Sequence, residues 1–203
     1  IEVSVSEDGT EVYSTTDASA NFVDGTLTLD PGTTTDLPAL SEGSSYTVDV
    51  TAADTLGNSA STSFSFDYDY TAPTFGDATV AGNALPDTGT LTVATTTPTI
   101  VQPISDEEFS VDSESIEVTL SDSDGVIYTY SVGSETADDG VSFSGGELVV
   151  EPGTGDVPEL EAGTSYTLDV TAADTAGNDD STAVSFDVDT AAPSISNFSP
   201  ADD

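Results

Sequence analysis

Residues 40–58 read LSEGSSYTVDVTAADTLGN, and residues 160–178 read LEAGTSYTLDVTAADTAGN. In both stretches a tyrosine is followed by apolar residues at every second position, with Thr or Asp between them. Alternation with a period of two is typical of a β-strand with one buried and one solvated face. The stretch therefore predicts an antiparallel strand that ends in a turn at Asp-x-x-Gly-Asn, with Asp49 and Asp169 on its solvent side.

The similarity between the two stretches continues in both directions along the chain. The matching pairs are residues 1–13 with 116–130, residues 27–46 with 148–166, and residues 64–73 with 184–193. One module is therefore about 115 to 120 residues long, the size of one sandwich domain. We predict an incomplete domain at 1–72 that lacks its leading strand or strands and a complete domain at 73–192. Residues 193–203 are predicted to be the opening strand of a following domain or a donor strand.

Turn residues separate the alternating runs within each module. Gly-containing pairs stand where a tight hairpin needs positive φ, at Asp8-Gly9, Asp24-Gly25, Asp124-Gly125 and Gly145-Gly146. The form L-x-x-G-x-x-Y directly before the repeated strand matches the tyrosine corner of immunoglobulin-type sandwiches, whose phenol hydroxyl bonds to the connecting backbone. These signals predict an all-β fold of tandem Ig-like Greek-key β-sandwich domains.

The last strand of the first module alternates just as strictly. Phe64, Phe66, Tyr68 and Tyr70 are separated by Ser and Asp residues. Aromatic residues with this period are typical of the inner face of a strand. We therefore predict that these four rings face the core.

The charge of the chain is entirely negative. Its 203 residues include 39 Asp and Glu and no Lys, Arg, His or Cys, which gives a net charge of -39. Because no ion pair can form between side chains, like-charge repulsion has to be screened by salt or by bound cations. Nucleic acid is excluded as a partner, since phosphate groups are bound through Lys and Arg. Direct membrane insertion is excluded as well, since no apolar run in the sequence is long enough to span a bilayer. The predicted partners are solvent cations and copies of the module itself.

The pattern LxxGxxYTvdVTAaDxxGNxxxxxFxxDxxaP, at residues 40–73 and 160–193, resembles the tandem Ig-like repeats of bacterial and archaeal surface proteins. These repeats are related in pattern to fibronectin type III and cadherin modules. The resemblance implies a stalk, spacer, adhesin or fibre located outside the cell or on its surface. With the acidic composition added, the chain resembles a haloarchaeal or other halophile surface protein.

The residue types of most enzyme sites are missing. Without His, Cys, Lys or Arg, the chain has no nucleophile–base pair of the usual hydrolases and no Cys or His metal ligands. The pentapeptide LPDTG at residues 85–89 matches a sortase signal but lacks the apolar helix and basic tail that follow one, so it predicts a turn. We predict that the protein is not an enzyme.

Calcium is the cofactor that the acids suggest. Asp67 with Asp69, and Asp187 with Asp189, alternate at the end of the last strand of each module, directly before Ala-Pro. This position resembles the cadherin linker, where acids of one module and loops of the next share ions, and the resemblance implies partners in the loop before Phe109. The predicted metal ligands are Asp67, Asp69, Asp106, Glu107, Glu108, Asp187 and Asp189. The alternative is a solvated acidic surface without bound calcium.

Two functions are consistent with these features. The first is a structural unit of an extracellular filament, stalk or surface layer adapted to high salt, joined head to tail by strand complementation, with residues 194–203 as the donor. The alternative is a calcium-stiffened cell-surface adhesin that binds a glycan or a protein. Asn197 begins the sequon Asn-Phe-Ser and is the predicted glycosylation site.

Overall fold

The computed structural model describes residues 1–18, 22–32, 37–107, 109–131 and 140–194. The chain divides into two compact units, Ile1–Thr71 and Ala72–Asp203. Regular structure in the described residues is almost entirely β-strand, apart from one turn of 3-10 helix at Ser113–Ser115. The predicted all-β fold class is confirmed.

The first unit contains one four-stranded antiparallel sheet and one short hairpin. The sheet has the order β2-β1-β5-β6, and β3 pairs only with β4. The strands are β1 (Glu2–Glu7), β2 (Thr10–Thr15), β3 (Phe22–Val23), β4 (Thr26–Leu27), β5 (Ser44–Ala53) and β6 (Ser59–Tyr68). Their buried side chains form a small apolar core of Val3, Val5, Ala18, Leu37, Tyr46 and Val48.

The hairpin between β1 and β2 shows why the turn carries Asp-Gly. Asp8 has φ of 50° and Gly9 has φ of 78°, so both central residues are in the left-handed region. Asp tolerates this region better than most residues and Gly does so without a steric cost, which fits a two-residue hairpin turn.

The second unit contains two facing sheets. One has the order β10-β17-β16-β12-β13, and the other has the order β14-β15-β11-β8-β9 with β7 also beside β11. The strands are β7 (Thr74–Phe75), β8 (Thr79–Val80), β9 (Asn83–Ala84), β10 (Leu91–Val93), β11 (Ile100–Ser105), β12 (Glu117–Asp122), β13 (Gly125–Ser131), β14 (Val141–Ser144), β15 (Glu147–Val150), β16 (Thr164–Ala173) and β17 (Asp179–Val188).

The core of the second unit is formed by alternate residues of both sheets. One sheet contributes Leu120, Leu168 and Phe186, and the other contributes Ile100 and Leu148, all at most 1% exposed. Between them the polar residues point to solvent, as the period-two pattern predicts. The second unit is therefore a β-sandwich.

The last strands of the two units differ in burial although their sequences match. Phe64 and Phe66 in β6 are 55% and 37% exposed, whereas the equivalent residues Val184 and Phe186 in β17 are 1% and 0% exposed. The prediction that the β6 aromatic residues all face a core is therefore wrong for Phe64, Phe66 and Tyr70, which are exposed. The reason is that β7–β11 complete the second unit, and the described residues of the first unit contain no counterpart of these strands.

Candidate functional site

Each unit contains a tyrosine corner at the start of its repeated strand. The backbone N–H of Ser41 donates to Tyr46 Oη at 2.7 Å, and the backbone N–H of Glu161 donates to Tyr166 Oη at 2.7 Å. The predicted tyrosine corner is confirmed in both copies. In the first unit the Tyr46 hydroxyl also donates to Glu7 Oε1 at 2.8 Å, and side-chain hydrogen bonds from Ser41, Tyr46 and Ser44 lower the pKa of Glu7.

The other end of the repeated strand is organised by an aspartate. Asp174 Oδ1 accepts from the backbone N–H groups of Ala176, Gly177 and Asn178 at 2.7, 2.6 and 3.0 Å. Asp174 Oδ2 accepts from Asn178 Nδ2 at 2.8 Å. Burial by itself raises the pKa of Asp174, but these hydrogen bonds to the charged form outweigh it and hold the pKa below its ordinary value. The Asp-x-x-Gly-Asn motif is therefore a turn built around a carboxylate.

The first unit repeats this turn in a more open setting. Asp54 accepts from the backbone N–H groups of Leu56 and Asn58 and from Asn58 Nδ2. Asp54 is exposed, whereas Asp174 is only 2% exposed. The difference arises because Val111 forms a β-bridge with Asp174 and covers it in the second unit.

The segment that covers Asp174 is held by several backbone contacts. The N–H of Thr175 donates to Ser110 O at 3.1 Å, and the N–H of Asp112 donates to Ala173 O at 2.8 Å. The Ser115 hydroxyl donates to Ala173 O at 3.1 Å and accepts from Ala173 N–H at 2.7 Å. These contacts fix the loop between β11 and β12 against the end of β16.

Two carboxylates meet where this loop reaches the turn. Oxygen atoms of Asp106 and Asp174 lie within 4.8 Å of each other. Asp106 Oδ1 accepts from the backbone N–H of Phe109 at 2.7 Å, which orients its side chain. Carboxylate oxygens at this separation suit a hard divalent cation such as Ca²⁺, whose charge offsets their repulsion. The pair is the candidate functional site of the second unit.

A family model of the bacterial Ig-like domain (group 3) matches residues 34–74 and 70–192. The chain belongs to this family. The two matched stretches include the tyrosine corners and the Asp-x-x-Gly-Asn turns of both units. The prediction of an Ig-like sandwich is therefore confirmed by the family as well as by the fold.

Two solved structures are similar to this Ig-like chain. CopC from Methylosinus trichosporium OB3b is 18% identical, with 58% of this chain and 93% of that chain covered and a TM-score of 0.39. A Ca²⁺-stabilised adhesin that helps an Antarctic bacterium reach out and bind ice is 26% identical, with a TM-score of 0.34. That match covers 95% of this chain and 41% of the adhesin chain. A search of curated proteins finds no match to the sequence.

Two of the predicted metal ligands in the second Ig-like unit, Asp187 and Asp189, lie away from the Asp106–Asp174 pair. Asp67 and Asp187 accept hydrogen bonds from the hydroxyl groups of Ser45 and Ser165 on the neighbouring strands. Within the second unit, Asp187 and Asp189 lie at the opposite end from Asp174, because β16 and β17 pair Thr164 with Val188 and Ala173 with Asp179. The structure therefore does not bring them to the Asp106–Asp174 pair.

The remaining predicted sites are only partly described. Asp69 and Asp189 follow the last strands and accept from the backbone N–H groups of Thr71 and Ala191 at 3.0 and 2.8 Å. Glu107 is exposed. The predicted ligand Glu108, the predicted glycosylation site Asn197 and most of the predicted donor strand at 194–203 lie outside the described residues. Sharing of an ion across the connection between the two Ig-like units stays a prediction.

Asp174 is the residue that sequence reasoning missed as a candidate ligand. Its motif predicts a turn, which is correct, and its sequence equivalence to Asp54 gives no reason to expect a ligand at one position and not at the other. The usable signal lies elsewhere in the sequence, in Asp106 and in residues 109–115, which pack against the turn of the second Ig-like unit.

One surface concavity of the first Ig-like unit is lined only by hydroxyl, carboxylate and apolar side chains. It has a volume of about 510 Å³, and its polar residues include Glu2, Ser4, Asp49 and Thr51. Hydroxyl and carboxylate groups are the only polar side chains there, and the chain has no imidazole, thiol or amine side chain to add to them. None of the described helical structure is long and apolar enough to cross a membrane.

Proposed function

We propose that this chain is a structural part of an extracellular filament, stalk or surface layer, in which Ig-like units act as rigid spacers. The observation that carries the proposal is the repeated strand from tyrosine corner to Asp-x-x-Gly-Asn turn, whose polar groups are satisfied within each unit. Such a strand stiffens a module through its own hydrogen bonds. Membership of a bacterial Ig-like domain family supports a binding or structural role over catalysis.

High salt is the proposed environment. The net charge of -39 has no compensating base, so repulsion extends over the whole surface at low ionic strength. The Debye length falls from roughly 10 Å at 0.1 M salt to roughly 3 Å at 1 M, which confines the repulsion to nearest neighbours. A halophile, and within that group a haloarchaeon, is the proposed source, and the cell surface is the proposed location.

Calcium binding by the Asp106–Asp174 pair is the second part of the proposal. Asp174 is buried and its carboxylate already carries four hydrogen bonds that favour its charged form. A second carboxylate beside it adds like-charge repulsion, which a shared cation would relieve, and the chain has no Lys or Arg side chain to serve as that cation. This pair is what favours the alternative function, a calcium-stiffened adhesin.

Thermal unfolding in a NaCl series tests the adaptation to high salt and the binding of calcium separately. The midpoint is expected to rise from about 0.1 M to about 1 M NaCl, since screening removes repulsion. At fixed salt, added CaCl₂ is expected to raise the midpoint further and EDTA to reverse that rise. A midpoint that follows ionic strength and ignores both additions would refute the calcium site and leave the salt adaptation intact.

Single substitutions test whether the stabilisation by calcium comes from the Asp106–Asp174 pair. Asp106→Asn keeps an oxygen for the Phe109 N–H but removes one charge, so the stabilisation by CaCl₂ is expected to disappear. Asp122→Asn is the control, because Asp122 also accepts from local backbone N–H groups, those of Asp124 and Gly125, in a turn of the same unit. Equal calcium responses of the two variants would contradict the assignment.

The cellular location has its own test. Antibody labelling of intact cells that produce the full-length protein is expected to give the same signal as labelling of lysed cells. A signal that appears only after lysis would refute the surface location, whatever the salt and calcium experiments show.

A further inference from the structure

Gln102 is a polar residue in the core of the second unit. It lies in β11 between Ile100 and Ile104, and all three side chains are at most 2% exposed. The alternation of this strand predicts an apolar residue at the middle position. Because a buried amide is unfavourable unless its polar atoms are hydrogen-bonded, the partners of Gln102 indicate its role.

Only the nitrogen of the Gln102 side chain is hydrogen-bonded to the described part of the chain. Nε2 donates to Gly76 O at 2.8 Å and to Pro103 O at 3.0 Å. These bonds lie at the gap of residues 76–78, between the pairings of β7 and β8 with β11. Oε1 accepts from no donor in the described residues, and solvent reaches this atom. Gln102 therefore presents an acceptor that the fold itself does not use.

This acceptor belongs to the wall of a concavity of about 370 Å³ on the second unit. The carboxylates of Asp77 and Asp87 also line the concavity, and both residues are exposed. Leu85 and Asp87 are part of the LPDTG turn, so that turn supplies one side of the wall. The apolar part of the wall is formed by Ala78, Ala84, Leu85 and Val184. The concavity thus combines an apolar surface with three side chains that offer oxygen acceptors.

The polar groups of the wall select a ligand that donates hydrogen bonds and is positively charged. Carboxylates only accept hydrogen bonds at neutral pH, and the Gln102 nitrogen is already occupied. The chain has no Lys, Arg or His to attract an anion. A bare metal ion would leave the apolar wall unused, since such ions are surrounded by oxygen ligands. A guanidinium group on an aliphatic stem fits both parts, because it has five N–H donors and its stem packs on apolar surface.

The position of the concavity favours a protein segment as the carrier of this group. Thr182, Ala183 and Val184 of β17 line it, whereas β10 pairs with β17 only further along, from Phe186 to Val188. Among the described residues, the outer edge of β17 before Phe186 has no strand beside it. An extended segment can form backbone hydrogen bonds with such an edge and insert one side chain beside it.

We propose that this concavity of the second unit binds an arginine side chain carried on an extended segment of another protein. The guanidinium group donates to Gln102 Oε1 and to the carboxylates of Asp77 and Asp87, and the stem packs against Leu85. This inference goes beyond the proposed function, because it gives one Ig-like unit a binding role in addition to that of a spacer.

A titration of the 203-residue chain with a short capped peptide, Ser-Val-Arg-Val-Ser, tests the proposal. It is followed by NMR at about 1 M NaCl, where diffuse attraction to the net charge is screened. We expect saturable one-to-one shifts in the Gln102 side-chain amide and in the backbone amides of residues 76–78, 84–87 and 182–184. Citrulline in place of arginine keeps the shape but not the charge, and is expected to raise the Kd about tenfold.

Two further ligands distinguish the source of the bound group. Agmatine has the same guanidinium group and stem without a peptide backbone, so it is expected to bind more weakly than the peptide. Agmatine that binds as tightly as the peptide would overturn the assignment to a protein partner. CaCl₂ that shifts the same amides and displaces the peptide would also overturn the proposal, because the concavity would then be a metal site.

Variants of the wall test the assigned contacts. Asp77→Asn and Asp87→Asn are each expected to raise the Kd for the peptide about threefold. Gln102→Leu is expected to raise it about tenfold, with retained protection of the β16 and β17 amides as the check on folding. Asp156→Asn is the matched control, because Asp156 is an exposed acid of the same unit outside the concavity.

Unchanged binding by the Asp156 variant supports the proposal. Absence of peptide binding, equal weakening by all three Asp variants, or equal affinity for the arginine and citrulline peptides would each overturn it. The salt, calcium and surface-labelling experiments do not involve this concavity, so they test the proposed function independently.

Discussion

Tyr46 and Tyr166 occupy the same position in the two units and accept from the same kind of donor, a backbone N–H five residues earlier. The rest of each ring is buried, so the phenol oxygen is a polar group placed inside an apolar core to satisfy one amide. Leucine or phenylalanine at this position preserves the alternation of the strand but not the bond.

Tyr166→Phe tests this bond directly. Without the phenol oxygen, the N–H of Glu161 loses its acceptor, and leaving such a group unsatisfied costs about 1 to 3 kcal/mol. The free energy of unfolding, measured by urea denaturation at constant high salt, is expected to fall by that amount for the second unit. Tyr130→Phe is the control, since the Tyr130 hydroxyl makes no hydrogen bond with the described residues. An equal effect of the two variants would argue that only ring packing matters.

Asp54 is the residue whose ionisation is most directly coupled to a local turn in the first unit. Hydrogen bonds from the side chain and backbone of Asn58 lower the pKa of Asp54. A group whose folded pKa is lowered stabilises the protein above its unfolded pKa, about 3.9 for Asp, and this contribution is lost as the pH falls through the folded pKa.

Asp54→Asn is therefore expected to destabilise the first unit at neutral pH and to lose its effect in acid. The measurement is the difference in unfolding midpoint between the wild type and the variant from neutral pH to below pH 3.9, at constant salt. Asp49→Asn, on the exposed face of β5 just before that turn, is the control for removing one charge. A difference that stays constant across this range would contradict the assignment.

At the scale of elements, β6 and β17 show that one sequence pattern has two outcomes. The alternation correctly predicts both strands, and their pairing with β5 and β16 has the same register. Burial depends instead on whether a second sheet lies opposite. Phe66 and Phe186 are equivalent in sequence, but only Phe186 has Leu91 beside it and the sheet of β8, β11 and β15 across the core.

Substituting each phenylalanine by alanine measures this difference. Phe186→Ala is expected to cost about 3 to 5 kcal/mol, the usual cost of removing a fully buried ring. Phe66→Ala is expected to cost about 1 kcal/mol, because much of that ring already contacts solvent. Denaturation of each variant, followed by amide exchange in β6 and β17, gives the two values. Equal costs would show that the face of β6 is covered in solution.

At the scale of the whole molecule, the acidic surface sets the conditions under which the fold is stable. Asp169 and Glu117 lie on the solvent face of neighbouring strands, with Asp169 opposite Thr119 and Glu117 opposite Thr171. Diagonal neighbours of this kind are about 7 to 8 Å apart, which is within the Debye length at low salt but outside it at 1 M.

Asp169→Lys is expected to stabilise the second unit by about 0.5 to 1 kcal/mol at low salt, because it replaces repulsion of Glu117 by attraction. The gain is expected to shrink towards zero at about 1 M NaCl. Thermal unfolding at both salt concentrations is the measurement, with Asp169→Asn separating loss of the negative charge from gain of a positive one. A gain that persists at high salt would indicate a packing effect of the Lys side chain instead.

The sequence by itself determined the strands, the hairpin turns and the tyrosine corners, because period-two alternation, Asp-Gly pairs and L-x-x-G-x-x-Y are local signals with local causes. It also determined the net charge of -39 and the repulsion that follows from it, since the composition includes no Lys, Arg or His. Only the tertiary structure decided which equivalent residues are buried. Asp174 and Phe186 are covered, while Asp54 and Phe66 are not, because burial depends on segments distant in sequence. The same long-range packing brings Asp106 to Asp174, a pairing over 68 residues that no local pattern encodes.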